Sequence, residues 1–265
     1  MKKKTLFLFS LVIVLLVAFS TATYAAFSDQ YHPRVTNLSF NVKTQEYMMI
    51  SKTGEKGSFK DDIPFNELVD NDTPIELKPF NGSINGENIQ IKDGDVVINE
   101  TKNYIRFSLY FSSSNDMNLY LLGSETGKVV DAVAAQNGIF TDEQINKYID
   151  SLRIGFIAYS TNETVTSSGT EISYLPFNNN IYSVNEKTDA SYKSGLKKYD
   201  TFNRIYTGGV LEDRVLLNVK ANKVSKMDVV IWLENDDINC GESIFNTKLQ
   251  VYLRFFAVNV EGSGE

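Results

Sequence analysis

The chain has 265 residues, of which 26 are basic and 33 acidic, and its formal net charge is −7. This acidic balance argues against DNA, RNA or anionic lipid as the main partner. A single histidine, His32, and a single cysteine, Cys240, exclude an intramolecular disulfide and a zinc site built on thiolates.

The first 25 residues have the layout of a secretory signal peptide. Three lysines at residues 2–4 precede an almost wholly apolar segment, residues 6–19, and small or polar residues follow it. We predict that signal peptidase cuts between Ala25 and Ala26, with Ala22 as a second cleavage site. The apolar segment has 14 residues, fewer than the roughly 18 to 20 needed to span a bilayer. An uncleaved membrane anchor is therefore the less favoured alternative.

Cleavage would release 240 residues, secreted or at the cell surface, with membrane contact only through the uncleaved leader. The leader holds three basic and no acidic residues, so the mature chain carries a net charge of −10. An extracellular protein of this size without disulfides is typical of bacteria. We expect Cys240 to be a small buried side chain or, alternatively, half of an intermolecular disulfide.

The mature chain is predicted to begin with a flexible arm, residues 26–36, followed by a single domain, residues 37–265. At the start of this domain Leu38, Phe40 and Val42 alternate with polar residues. Such a period of two is typical of a strand with one buried face. The arm therefore leads directly into the first predicted strand.

A turn-rich segment follows the second predicted strand, residues 47–51. The Asn-Gly pairs at residues 81–82 and 85–86 and the Asp-Gly pair at residues 93–94 predict tight turns, because these residues tolerate positive φ. The short strands predicted around these turns are residues 75–77 and 96–98.

The centre of the chain has the clearest periodic patterns. Residues 104–112 alternate between apolar and polar side chains, and residues 118–122 form the predicted partner strand. A capping box and apolar residues at helical spacing predict a helix over residues 142–150. Strand periodicity resumes at residues 153–159, whereas residues 129–135 fit either a strand or a helix.

Two polar segments, residues 160–170 and 177–200, are predicted to be surface loops. Apolar residues occupy both faces of residues 226–234, which predicts a central strand covered on each side. The closing strands are predicted at residues 205–210, 215–219, 226–234 and 248–258.

Many strands, frequent turns and one or two short helical insertions predict an all-β fold, a sandwich of two antiparallel sheets. A jelly-roll-like arrangement is the form we expect. An immunoglobulin-like sandwich is the alternative, although its Cys…Trp…Cys pattern is absent. No internal repeat or change of composition marks a second domain.

No motif in the sequence supplies a catalytic site. His32 is the only histidine that could act as a triad base, and it lies beside a proline in the predicted arm. The sequence has no HExxH motif and no phosphate-binding glycine loop, and no spacing singles out a carboxylate pair for a glycosidase. We therefore predict that the protein is not an enzyme and needs no cofactor.

Acidic residues in the loops leave calcium as an option. The best candidate set is Glu234, Asp236, Asp237 and Glu242, which lie in one predicted loop. No acidic cluster has the spacing of an EF-hand loop, and a solvated turn is the ordinary alternative.

Tyr104, Tyr110 and Tyr120 alternate with polar residues on two neighbouring predicted strands. They would form either a glycan-binding or subunit-contact face, or simply cover the second face of a sheet. The second interpretation is the simpler one.

Two regions resemble known secreted proteins. Residues 23–29, Thr-Tyr-Ala-Ala-Phe-Ser-Asp, and residues 37–42, Asn-Leu-Ser-Phe-Asn-Val, resemble the cleavage junction and first mature strand of camelysin and TasA-type biofilm-matrix proteins of Gram-positive bacteria. Residues 230–240 resemble a Trp-Leu-Glu-Gly-x-Asp-x-x-Cys hairpin of clostridial secreted proteins, with Asn235 in place of the glycine.

The resemblance to the matrix family implies a jelly-roll subunit of an extracellular fibre that donates an N-terminal strand to its neighbour. We therefore expect a secreted, self-assembling, non-enzymatic structural protein. A surface adhesin or glycan-binding module, with or without calcium, is the alternative, and a secreted hydrolase is the third option. The resemblance places the assembly arm and its extension at Phe27, Ser28, Asp29, Leu38, Phe40 and Val42.

Overall fold

A computed structural model describes most of the chain after residue 33. The leader, with Ala25 and Ala26, and the predicted arm up to Pro33 lie outside the described residues. The described residues belong to one compact unit, Pro33–Glu265. They are residues 34–44, 48–64, 68, 75–101, 103–122, 130–133, 142–166, 169–183, 188–193, 201–202, 215–241 and 248–260.

Strands dominate this part of the chain, which confirms the predicted all-β class. The predicted helix is confirmed as α1, Asp142–Ser151, and a short 3-10 turn spans Asp189–Ser191. The strands are β1 Arg34–Thr44, β2 Met48–Ser51, β3 Asp62–Pro64, β4 Ile75–Glu76, β5 Pro79–Asn85, β6 Asn88–Asp93, β7 Val96–Val97, β8 Ile105–Ser113, β9 Met117–Leu122, β10 Val130–Val133, β11 Leu152–Thr166, β12 Gly169–Ser183, β13 Thr201–Phe202, β14 Leu217–Val219, β15 Val224–Glu234 and β16 Lys248–Asn259.

The first sheet is mixed, whereas the sequence predicted only antiparallel sheets. Its strand order is β14-β9-β16-β1-β3, with β10 also paired to β16 and β4 to β1. The first and last described strands, β1 and β16, run parallel from Arg34 opposite Lys248 to Thr44 opposite Ala257. Periodicity cannot reveal such a pairing, because it reports which face of a strand is buried and not which strand lies beside it.

The second sheet has the order β13-β12-β11-β15-β5-β6-β7. Strand β8 also pairs with β15, and β2 pairs with β8. The β15 strand lies between β11 on one side and β8 on the other, with antiparallel pairing to both. At its end β15 pairs in parallel with the start of β5.

The main core lies between the two sheets. Met227, Val229 and Ile231 of β15 point into it, and they belong to the same apolar cluster as Phe255 of β16. Phe111 of β8 meets Phe255 edge to face, with ring centroids 5.7 Å apart. Each such side chain contributes about 1.5–3 kcal/mol through removal from water, so this contact between the sheets holds the sandwich together.

The opposite face of β15 is also covered, as its sequence predicted. Val230 and Trp232 are fully buried and form a second apolar cluster with Phe80 of β5 and with Ile89 and Ile91 of β6. The β5–β6 hairpin therefore packs over part of the outer face of the second sheet. The prediction of a central strand buried on both faces is confirmed.

One of the three predicted tight turns is wrong. Gly86 and Gly94 lie in turns with φ of +60° and +57°, as the Asn-Gly and Asp-Gly pairs predicted. Gly82, by contrast, lies inside β5, where an added Cβ would be 2.6 Å from Cζ2 of Trp232. This glycine serves close packing of two strands rather than a turn.

Both predicted polar loops are partly wrong. Strand β11 continues to Thr166 and β12 begins at Gly169, so a long hairpin replaces the loop predicted at residues 160–170. Strand β12 then runs to Ser183, into the second predicted loop. Ladder hydrogen bonds hold both segments in strand form, although their sequences lack the apolar alternation that marks a strand. The strand predicted at residues 205–210 lies outside the described residues.

The helix α1 is a minor element of the fold. Ile149 is its buried anchor, and Lys147 forms a salt bridge with Glu143 one turn earlier, with Nζ and Oε1 2.8 Å apart. Among the described residues, no helix combines the length and the apolar character needed to cross a membrane.

Candidate functional site

Strand β1 is part of the chain's own sheet. It begins at Arg34, three residues before the predicted start of the domain. Phe40 pairs with Leu253 of β16 on one side and with Ile63 of β3 on the other. Leu38 and Val42 pair with β16 as well. The predicted extension of the assembly strand therefore lies within the domain itself, and Phe27, Ser28 and Asp29 lie outside the described residues.

The acidic turn after β15 is built around the carboxylate of Glu234, which is fully buried. Its Oε2 accepts hydrogen bonds from Nε1 of Trp232 and from the backbone N–H of Gly82, each at 3.2 Å. Its Oε1 accepts the backbone N–H of Asp236 at 3.4 Å. Glu234 thus joins the end of β15 to β5 and closes its own turn.

Asp237 forms a buried ion pair with Arg153 at the start of β11. Nη2 of Arg153 lies 2.6 Å from Oδ2 of Asp237, and both side chains are fully buried. Nη1 donates to the carbonyl oxygens of Asp150 and Leu152 at 2.9 and 3.0 Å. The guanidinium carbon lies 5.7 Å from the centre of the Tyr192 ring. These contacts tie the acidic turn to the end of α1.

The carboxylates of the predicted calcium set therefore have structural partners. Glu234 and Asp237 are engaged as described, Asp236 is half-buried, and Glu242 lies outside the described residues. Within the described ranges, no group of three or more His, Cys, Asp or Glu side chains is placed to hold a metal ion. Glu234 and Asp237 are buried hydrogen-bond acceptors and not members of an exposed turn, whereas the calcium prediction stays a prediction.

Cys240 closes the same turn. Its backbone N–H donates to the carbonyl of Asp237 at 3.0 Å, and its side chain is buried, as predicted. Burial raises the pKa of the thiol to about 11. The thiol is therefore protonated and unreactive at neutral pH.

The three tyrosines singled out in the sequence do not form one face. Tyr104 is buried, and its hydroxyl donates to the carbonyl of Ile98 at 3.2 Å. Tyr110 lies on the outer face of the second sheet, whereas Tyr120 belongs to β9 of the first sheet. Tyr104 is therefore not accessible to a ligand, whereas Tyr110 and Tyr120 are half-buried on different sheets.

A polar cluster that the sequence did not reveal surrounds Asp228 on the outer face of β15. Ser108 Oγ and the Tyr159 hydroxyl each donate to its carboxylate at 2.7 Å. Nη2 of Arg106 lies 3.3 Å and Nζ of Lys226 3.4 Å from the same carboxylate. The cluster joins β8, β15 and β11, which lie side by side in the sheet but far apart in sequence.

The ionisation of the cluster follows from these contacts. Burial acts to raise the pKa of Asp228, but hydrogen bonds from Ser108 and Tyr159 and the charges of Lys226 and Arg106 outweigh it. The pKa of Asp228 is therefore below its ordinary value of 3.8. Burial, together with the hydrogen bond to Asp228, raises the pKa of Tyr159 to about 12.

Aromatic rings surround the ammonium group of Lys226 in this cluster. Its Nζ lies 4.2 Å from the centre of the Tyr159 ring and 6.0 Å from that of Tyr174. Tyr174 reaches back to Tyr110, with ring centroids 5.8 Å apart. We call this surface the Asp228 face; it comprises Arg106, Ser108, Tyr110, Tyr159, Tyr174, Lys226 and Asp228.

A second exposed feature is the outer edge of β12. On this edge Ile181 and Tyr182 pair with β13, and no other strand within the described part of the chain pairs with it. Three large apolar side chains are exposed along the same strand: Ile172 by 51%, Leu175 by 57% and Phe177 by 44%. The sequence predicted loops here, so this edge was also missed.

Fold and contacts together define the class of this protein as an all-β sandwich with parallel strand pairs in both sheets, a buried acidic turn and a half-buried polar-aromatic face. No protein-family model matches the chain, and neither a curated protein nor a solved structure shows significant similarity to it.

Proposed function

We propose that the protein is a non-enzymatic structural protein of the cell surface or extracellular matrix that assembles by strand addition between copies. The observation that supports this proposal most directly is the exposed edge of β12. The apparent leader and the resemblance of residues 23–29 to the matrix family are consistent with export. That the protein is not an enzyme stays a prediction, which rests on the lack of a catalytic motif in the sequence.

A long strand edge is a template for another strand, because its N–H and C=O groups point outward along the sheet. Natural proteins protect such edges with charges, proline or covering elements. The sequence of β12 contains two residues of these kinds: the charged Glu171, and Pro176, which lacks an N–H. The stretch from Gly169 to Leu175 precedes this proline, and it carries two of the exposed apolar side chains, Ile172 and Leu175. An added strand would pair there and cover them.

The donor in this proposal is the N-terminal arm of a second copy. Strand β1 is held by β16, β3 and β4 of its own sheet, so the donated residues would precede Arg34. Residues 27–33 span about 23 Å when extended, since a strand rises about 3.3 Å per residue. This length matches that of a seven-residue edge such as Gly169–Leu175.

The test is electron microscopy of the purified mature protein. Wild type is expected to form filaments, and deletion of residues 27–33 is expected to abolish them. A Leu175→Lys variant should also block assembly. A charge on the edge opposes strand pairing, and the substitution removes the apolar side chain that an added strand would cover. Ile238→Lys is the matched control, since Ile238 is 55% exposed but lies in the turn after β15.

Circular dichroism must show that every variant keeps the β-sheet signal. Filaments that persist without residues 27–33 would exclude the arm as donor. Filaments that persist in Leu175→Lys would exclude the β12 edge as acceptor. A wild-type protein that stays monomeric under all conditions would overturn the proposal as a whole.

A further inference from the structure

The Asp228 face is a surface with the chemistry of a glycan site. It shares Tyr174 of β12 with the strand edge, but its other residues lie on β8, β11 and β15. We propose that it binds a neutral polysaccharide of β-linked hexoses. Sugar rings have flat C–H faces that pack on aromatic rings, and their hydroxyl groups need donors and acceptors at the rim. The Asp228 face offers both kinds of group.

The aromatic part of the face is held in place before any ligand arrives. Lys226 is directly opposite Tyr110 on β8 and Tyr159 on β11, so the three side chains form a row across the sheet. Tyr174 extends from β12 to meet Tyr110 above this row. Tyr110, Tyr159 and Tyr174 are half-buried, so parts of their rings remain accessible.

The packing beneath the rings makes them rigid. A Cβ on Gly54 would be 2.7 Å from the Tyr110 ring, so this ring lies directly against the backbone of the loop after β2. The Tyr159 hydroxyl is fixed by Asp228 at 2.7 Å. Side chains that are already ordered lose little conformational entropy when a ligand binds.

The polar part of the face lies beside the rings. The Arg106 side chain is 32% exposed, and its Nη2 is oriented by Asp228. A guanidinium has five N–H donors; one donates to Asp228 and another to the carbonyl of Ile89 at 3.5 Å. Its further donors can serve sugar hydroxyl oxygens at the edge of the stacked ring.

Charge favours a neutral glycan over an acidic one. The negative charge of Asp228 balances one of the two positive charges of Arg106 and Lys226, which leaves one positive charge on the face. The mature chain has a net charge of −10, which disfavours the approach of a polyanion within about one Debye length of the surface, roughly 10 Å at 0.1 M salt. A neutral polymer is not subject to this electrostatic repulsion.

The experiment measures binding of the full mature protein to hydroxyethyl cellulose, a soluble neutral β-glucan, by affinity electrophoresis and calorimetry. Polygalacturonate serves as the acidic probe. Wild type is expected to bind the neutral polymer. Tyr174→Ala should weaken this binding about five- to tenfold, and Arg106→Gln about tenfold through loss of charge-assisted hydrogen bonds. Tyr174→Phe should retain it, because the ring is kept.

Matched controls are Tyr120→Ala, which removes a half-buried tyrosine from the first sheet, and Lys220→Gln, which removes an exposed cation elsewhere. Both should bind like wild type. No binding of the neutral polymer, equal binding by all variants, or tighter binding of polygalacturonate would each overturn the proposal. Filament formation is scored separately, so failure here leaves the assembly proposal intact, and the reverse also holds.

Discussion

At the scale of single residues, the buried ion pair of Arg153 and Asp237 is the most consequential contact. A buried charge that loses its partner keeps the cost of having left water without the compensating attraction. Here Arg153 contacts the end of α1 and Asp237 the turn after β15. The pair therefore ties the end of α1 to the turn after β15.

We expect Asp237→Ala to lower the free energy of unfolding by about 3–5 kcal/mol, because Arg153 would stay buried without its partner. Urea denaturation, monitored through the fluorescence of Trp232, measures this change in unfolding free energy. The control is Asp116→Ala, which removes the exposed pair with Lys220 and a hydrogen bond from the backbone N–H of Ala221, and which should destabilise the protein far less. Equal losses of unfolding free energy in the two variants would show that burial does not determine how much the Arg153–Asp237 contact contributes to stability.

The Asp228 carboxylate predicts a dependence of stability on pH. Its pKa is lowered in the folded protein, so its contribution is fully present above the ordinary value of 3.8 and is lost as pH falls through the folded pKa. The difference in stability between wild type and Asp228→Asn should therefore be constant near pH 6 and shrink below pH 3.8. Denaturation curves at a series of pH values test this. A difference that stays unchanged at low pH would contradict the role given to Asp228.

At the scale of elements, the β5–β6 hairpin covers β15 and so determines which part of the outer face of the second sheet is buried. Trp232 lies directly against Gly82 of β5, and Ile89 of β6 lies directly against Gly155 of β11. The two glycines let the hairpin approach the sheet closely enough to bury the indole. Part of the outer face is thereby covered, while the Asp228 face is left open.

We expect Gly82→Ala to destabilise the protein by about 1–3 kcal/mol, the usual cost of overpacking a filled site. The added methyl would be 2.6 Å from Cζ2 of Trp232, so the hairpin or the indole must shift. Thermal unfolding measures the loss. Gly241→Ala is the matched control with open space around the new Cβ, and it should be nearly neutral. An unchanged thermal stability in Gly82→Ala would mean that the hairpin shifts to accommodate the methyl group without loss of stability.

At the scale of the whole molecule, the sandwich depends on a parallel pair formed by its first and last described strands. Strand β1 has β16 on one side and β3 and β4 on the other. Loss of β1 would expose β16 and detach the two short strands. The proposed assembly arm, by contrast, precedes β1, and we expect the fold to form without it.

Two N-terminal truncations separate these roles. A chain that starts at Arg34 should fold with wild-type stability and remain monomeric, because β1 is complete. A chain that starts at Gln45 should not fold, because β1 is missing. Circular dichroism and sedimentation analysis measure both properties. An unfolded product from the first truncation, or a folded product from the second, would contradict this division.

Much of the fold could be predicted from local pattern, because a period of two reports burial of one face directly. It located β8 and α1 and identified β15 as a strand buried on both faces. It failed for β11 beyond Tyr159 and for the end of β12, residues 177–183, where hydrogen-bonded strands have sequences without apolar alternation. It also misassigned Gly82, because a glycine required by a neighbouring indole looks like a turn glycine in the sequence.

The amino-acid sequence by itself determined the all-β class, the acidic balance, the lone buried Cys240 and the positions of the core strands, since each follows from composition or local periodicity. Only the tertiary structure decided that β1 and β16 run parallel, that Glu234 and Asp237 are buried acceptors, and that Asp228 gathers side chains from three strands. These features depend on which strands become neighbours, and long-range pairing has no local signature in the chain.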